Sequence, residues 1–253
     1  MNTSNDILGI KPYGEALGLT LKKTFEGIEQ FLSIVCRPAL EEVGTMLKDH
    51  VRIWRLNNVI KILEKSKDKF EFKDGEIQLK ANPKVALAVI ENGCNEENEE
   101  LQTMWAGLLN SSFSPSGNND EAIIYVQILK QFSIPEVKIF KYMCEMSEKG
   151  LTDEGLPLGQ TVSIFVDELL RISGLKEAAD VEAILNHLSA LKLSERKEMI
   201  PSIGFRRFKD SLLAWLSPTT LALTLYVRCQ GYGGAISDYW GLKPWREIQS
   251  RGK

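Results

Sequence analysis

Residues 96–112, EENEELQTMWAGLLNSS, are the stretch around which this chain is organised. The pattern predicts one helix that begins after Asn95, whose side chain can accept a hydrogen bond from the first turn. Glutamates at its start suit the positive end of a helix dipole. The small residues Ala106 and Gly107 predict the close approach of another helix. The apolar residues recur at helical spacing and form one face: Leu101, Met104, Trp105, Leu108 and Leu109.

Length and composition indicate a globular protein. The 253 residues suffice for one large domain or two smaller ones, at roughly 100–200 residues per domain. The net charge of -3 provides no overall attraction to nucleic acid or to an anionic membrane, although local patches remain open. The four cysteines form no CxxC motif and are typical of buried thiols in a reducing compartment.

The sequence contains no recognisable targeting signal. The first residues do not have the pattern of a signal peptide, and no apolar run reaches the roughly 18 residues of a membrane-spanning helix. We therefore expect a cytoplasmic protein and no integral membrane segment.

The first 150 residues predict a multi-helix domain. Apolar spacing and breakers indicate helices over about 13–36, 39–66, 83–93, 121–132 and 135–148. The cluster SPSGNND at 114–120 interrupts them, and the Asp74–Gly75 pair marks a turn in a charged segment. Glycines and a proline in 149–160 indicate a domain boundary.

The last third predicts a different arrangement. Helices are expected over about 161–172 and 178–192, then two strand-like segments near 194–200 and 209–216 with a turn at Gly204. A final helix starts at Ser217–Pro218 and ends near Arg228. This order is typical of a winged helix-turn-helix unit. We therefore predict a mainly α protein with a helical domain at 1–150, a smaller winged-helix-like domain at 151–230 and a Gly- and aromatic-rich tail at 231–253.

Two runs of residues in the first half resemble the abortive-infection alpha family of bacterial proteins, and a third run, Leu216-Ser217-Pro218…Leu221-Ala222…Cys229, resembles its closing segment. The resemblance is best over about 38–148, and it implies a part in phage resistance by abortive infection. It implies no catalytic residues. The two runs are Pro38…Glu41-Glu42-Val43-Gly44…Leu47…Asp49…Val51-Arg52…Trp54-Arg55…Asn57 and Glu91…Glu96-Glu97…Leu101-Gln102…Trp105-Ala106…Leu108-Leu109.

Enzyme signatures are mostly absent from the sequence. The chain has no P-loop, no dinucleotide-binding glycine motif, no GxSxG and no HExxH, and its two histidines, His50 and His187, fall on different predicted helices. Glu71-Phe72-Lys73 has the E-x-K form that metal-dependent nucleases use, but charge-rich loops produce such triplets by chance, and a solvated loop is the favoured interpretation. The sequence favours a non-enzymatic protein, with no catalytic residue, metal ligand or cofactor assigned.

Candidate contacts to a protein partner come from exposed-looking aromatic and arginine residues. Trp and Arg dominate the binding energy of many interfaces. The simpler interpretation places Trp54 in the core and leaves the arginines solvated or paired with carboxylates. For the tail, the simpler interpretation is that its tryptophans cover a core edge, and homo-oligomer contact is equally open. The candidates are Arg52, Trp54, Arg55, Trp240 and Trp245.

A basic wing is the candidate for nucleic-acid binding. The helix that would read a groove starts with Glu177, Asp180 and Glu182, which DNA phosphates would repel. Over 151–230 the net charge is -1, from nine Lys and Arg against ten Asp and Glu. We therefore rank a partner-binding defence protein first, a nucleic-acid-binding regulator second and a nuclease third. The wing residues are Arg196, Lys197, Arg206, Arg207 and Lys209.

Overall fold

A computed structural model describes residues 30, 31, 33, 52–69, 80–195, 205–208 and 211–246. In these ranges the chain is mostly helical with a few short strands, as predicted. Contacts divide it into two compact units: the described residues of Met1–Lys130 with Arg228–Gly233, and those of Gln131–Val227 with Gly234–Lys253. The expected helix at 13–36 lies almost wholly outside the described residues, as do Glu71 and Lys73.

The first unit is a set of helices around one apolar core. Helix α1 spans Arg52–Lys69, α2 spans Pro83–Gly93, α3 spans Glu99–Ser111 and α4 spans Ile123–Leu129. Helix α3 contacts each of the other three. The predicted apolar face of α3 is confirmed, since each of its five apolar residues is at most 4% exposed. Helices α1 and α2, which contact α3, contribute further buried side chains to this core: Val59, Ile62, Leu63, Val85, Val89 and Ile90.

Helix α3 begins three residues later than the sequence suggested. Asn98, and not Asn95, is the N-cap: its Oδ1 accepts the backbone N–H of Glu100 at 3.0 Å and of Leu101 at 3.1 Å. Glu96 contributes to the turn before the helix, where its Oε1 accepts the N–H of Asn98 at 2.7 Å. Asn95 and Asn98 are equally suitable N-caps by residue type, so the sequence alone does not show which of them caps the helix. The hydrogen bonds that Asn98 accepts identify it as the cap.

The predicted close approach at Gly107 is confirmed. A Cβ added to Gly107 would lie 1.8 Å from the carbonyl oxygen of Cys229, so only glycine allows this contact. Helix α2 keeps its predicted bounds, and Asn82 caps it by accepting the N–H of Lys84 at 2.9 Å. No helix forms over 114–120, as predicted. Cys94, Cys144 and Cys229 are buried thiols.

The second unit mixes helices with two small antiparallel sheets. Helix α5 spans Ile134–Met146 and starts with a capping box between Ser133 and Glu136. Strands β1 (Lys149–Leu151) and β2 (Pro157–Gly159) form a hairpin. Strand β3 (Val162–Phe165), helix α6 (Val166–Ser173), helix α7 (Ala178–Ala190) and strands β4 (Phe205–Phe208) and β5 (Ser211–Leu216) follow. The second sheet has the strand order β3-β5-β4.

Helix α8 spans Thr220–Cys229 close to its predicted bounds, and the short helix α9, Ile236–Trp240, was not predicted. The expected helix over 161–172 is wrong in its first half, where β3 precedes α6. Val162, Phe165, Val166 and Leu169 fit helical spacing, and no breaker separates strand from helix. Strands β4 and β5 pair from Phe208 with Ser211, and Gly204, where the turn was predicted, lies outside the described residues. Near 194–200 the described chain has a single bridge, Ser194 with Pro218, and residues 196–200 lie outside the description.

Candidate partner-binding surface

Helix α1 carries the first group of candidate residues near its beginning. Its buried stripe consists of Val59, Ile62 and Leu63, each at most 3% exposed. At 3.6 residues per turn, Trp54 lies about 140° around the helix from Val59, about 80° from Ile62 and about 180° from Leu63, so it is about 130° from the middle of the stripe. The position of Trp54 on α1 therefore directs its side chain away from the core.

Trp54 is 37% exposed, so the interpretation that placed it in the core is wrong. Its indole N–H donates a hydrogen bond to Oε1 of Glu97, in the turn between α2 and α3. A tryptophan that leaves a third of its surface in water forgoes part of its hydrophobic stabilisation. The hydrogen bond fixes the exposed ring in one orientation.

Arg55 is held against the same turn. Its Nε donates to Oδ1 of Asn95 at 3.1 Å, and the residue is half-buried. The partner in this bond is the side-chain amide of Asn95. Arg52 is the first residue of α1, and its side chain lies outside the described residues.

Polar bonds continue along α1 beyond this turn. Asn58 is 3% exposed, and its Nδ2 donates to the carbonyl oxygen of Cys94 at 3.0 Å. Lys65 contacts Oε1 of Glu99 at 3.3 Å, and the amide of Asn110 donates to the carbonyl oxygen of Ser66 at 2.9 Å. These bonds keep α1 in one register against the 94–110 segment, so Trp54 and Arg55 are presented on a fixed support.

Trp240, in the second unit, is engaged by its own neighbours. Its ring stacks on Tyr226 with centroids 5.7 Å apart and planes 18° apart, and Lys149 Nζ lies 5.1 Å from the ring centroid. Burial lowers the pKa of the Lys149 ammonium. Burial, and then the hydrogen bond from the phenol to Glu145 Oε1 at 2.9 Å, raise the pKa of Tyr226 well above its ordinary value. Tyr226, Trp240 and Lys149 therefore pack against one another.

Trp245 lies over strand β1. A Cβ on Gly150 would come within 2.7 Å of the indole, so the ring rests directly on the glycine. Beside it, the N–H of Leu151 donates to the carbonyl oxygen of Lys243 at 2.9 Å. These contacts match the alternative that the tail tryptophans cover a core edge. A role in partner binding for Trp240 and Trp245 stays a prediction.

The basic wing is described only in part. Arg206 and Arg207 lie in β4, where their backbone pairs in register with Leu213 and Leu212 of β5. Arg196, Lys197 and Lys209 lie outside the described residues.

Of the two histidines, the described ranges contain His187. His187 Nδ1 contacts Oε1 of the buried Glu136, whose Oε2 accepts the N–H of Ser133 at 2.6 Å. Within these ranges, no three His, Cys, Asp or Glu side chains group so that they could hold a metal ion. His50 lies outside them.

Sequence reasoning missed the two residues that complete this surface, Glu97 and Asn95. Asn95 was interpreted as an N-cap, and Glu97 as part of a helix start and of the run that resembles the abortive-infection alpha family. The bond from Trp54 to Glu97 spans 43 positions and the bond from Arg55 to Asn95 spans 40. The sequence did contain one signal. A Trp–Arg pair lies on one predicted helix, and side chains that can accept hydrogen bonds from it, those of Asn95 and Glu97, lie near the start of another.

These features define a mainly α protein with an exposed Trp54 beside a half-buried Arg55, each bonded to the turn before helix α3. The chain belongs to the abortive infection alpha family, which it matches over residues 55–210, more than half of its length. No curated protein sequence and no solved structure matches it. None of the described helices is both long and apolar enough to cross a membrane.

Proposed function

We propose that this protein takes part in phage resistance by binding a protein partner, of host or phage origin, rather than by catalysis. Membership of the abortive infection alpha family associates the chain with abortive infection. The partner-binding mode is our extension of that association. The proposed site of action is the cytoplasm, where host and phage components meet after infection.

The observation that carries the proposal is the fixed exposure of Trp54 beside Arg55. Tryptophan and arginine are enriched among residues whose truncation costs the most binding energy. A side chain that is already held in one orientation loses little entropy on binding, which favours affinity. Trp54 has this property through Glu97, and Arg55 has it through Asn95.

We also propose that residues 151–230 contain a winged-helix-like module that serves interaction. Strand β3, helices α6 and α7 and the pair β4–β5 follow one another in the order of such a module, and the sheet order β3-β5-β4 supports it. Helix α7 carries Asp180 in its first turn, after Glu177 at its N-cap position. Carboxylates at this end disfavour insertion into a DNA groove.

Capture from infected cells tests the partner-binding proposal. The full chain, its Trp54→Ala variant and its Ile124→Ala variant are each purified from infected and uninfected cells. Ile124 is a matched control because it is an apolar residue of the same unit and is 59% exposed. We expect one host or phage protein to be captured by the wild type and by Ile124→Ala, and to be lost with Trp54→Ala. Equal capture by all three proteins, or none by any, would refute the role of Trp54.

Self-association is the other outcome to measure. Light scattering of the purified chain determines its mass in solution. If the wild type is a dimer and Trp54→Ala is a monomer, the partner is a second copy of this chain rather than a host or phage protein.

A further inference from the structure

We draw no further inference here: the strongest candidate, the open face of the β3-β5-β4 sheet with the exposed Phe165 and the partly exposed Trp215, carries none because nothing in the structure shows what covers it.

Discussion

The indole of Trp54 is bound by the carboxylate of Glu97, a residue 43 positions further along the chain. The bond connects the start of helix α1 to the turn before helix α3. It leaves the tryptophan 37% exposed and fixed in orientation. A ring that served only the core would be covered, and this exposed ring is the basis of the proposed recognition role.

Removal of the Glu97 carboxylate should affect binding more than stability. We expect Glu97→Ala to change the free energy of unfolding by less than about 1 kcal/mol, because an exposed hydrogen bond contributes little. Capture of the partner should fall, because the free Trp54 ring then has to be ordered on binding. Urea unfolding and capture from infected cells measure the two effects. Glu97→Gln keeps an acceptor oxygen and should retain capture; if Glu97→Ala also retains it, orientation of Trp54 by Glu97 is not needed.

Gly107→Ala should destabilise the first unit by about 1–3 kcal/mol. Its Cβ would lie 1.8 Å from the carbonyl oxygen of Cys229, and backbone cannot move as a side chain can. This cost exceeds the gain of about 1 kcal/mol that alanine normally brings to a helix interior. Gly93→Ala is the control, because its Cβ would meet side chains rather than backbone: the far end of Ile62, at 2.6 Å from Cδ1, and the ring of Trp105, at 3.4 Å. Denaturant midpoints should fall clearly for Gly107→Ala and little for Gly93→Ala; the reverse order would show that the α3–Cys229 contact is not tight.

Tyr226 should make stability depend on alkaline pH. Burial and the bond to Glu145 raise the pKa of its phenol in the folded state, whereas an unfolded tyrosine has a pKa of about 10. The folded state therefore holds the proton after the unfolded state has lost it. The stabilisation is full below about pH 10 and is lost as the pH rises above that value. Wild-type urea midpoints should fall more steeply above about pH 10 than those of Tyr226→Phe.

Lys149 acts in a different pH range, because burial lowers the pKa of its ammonium below the ordinary lysine value. Its contribution to stability rises as the pH approaches about 10.4, opposite in sign to that of Tyr226. The contribution of Lys149 to the pH dependence of stability cancels when the wild type is compared with Tyr226→Phe, since both proteins contain Lys149. Phenolate absorbance gives an independent readout: one late-titrating tyrosine should be absent from Tyr226→Phe. An unchanged titration curve would contradict the assignment.

The Gly150–Trp245 contact should decide whether the tail stays on β1. Gly150→Ala places a Cβ within 2.7 Å of the indole and should displace it. We expect faster proteolysis after residue 241 in Gly150→Ala and in Trp245→Ala. The double variant should be cleaved no faster than either single variant, because both substitutions remove the same contact. If the increases in cleavage rate from the two substitutions add in the double variant, the tail is held by contacts other than the one between Gly150 and Trp245.

The helices of the first unit were largely predictable from the sequence. Pro83 suits the first turn of α2 because its φ is fixed and it has no N–H, and Gly93, a poor helix former, is the last residue of α2. The apolar spacing in 101–109 identified the buried face of α3, and Gly107 identified the close contact. The N-cap was misplaced because Asn95 and Asn98 are equally good caps by type, and only the acceptor bonds of Asn98 distinguish them.

Strand β3 and the Trp54 surface were not predictable for a different physical reason. Val162 and Phe165 fit a strand and a helix equally well, and pairing with β5 decides between them. Exposure of Trp54 depends on Glu97, whose distance in sequence hides the contact. Both features depend on partners far along the chain, which local spacing cannot identify.

The most direct test of the account is a phage challenge of cells that express the wild type, Trp54→Ala or Ile124→Ala. Culture density is followed at low and at high phage-to-cell ratio. We predict that the wild type and Ile124→Ala protect the culture at low ratio and collapse at high ratio, while Trp54→Ala protects at neither, although all three proteins fold and accumulate equally. Full protection by Trp54→Ala would contradict the role of this surface, and no protection by the wild type against a broad phage panel would contradict the defence function itself.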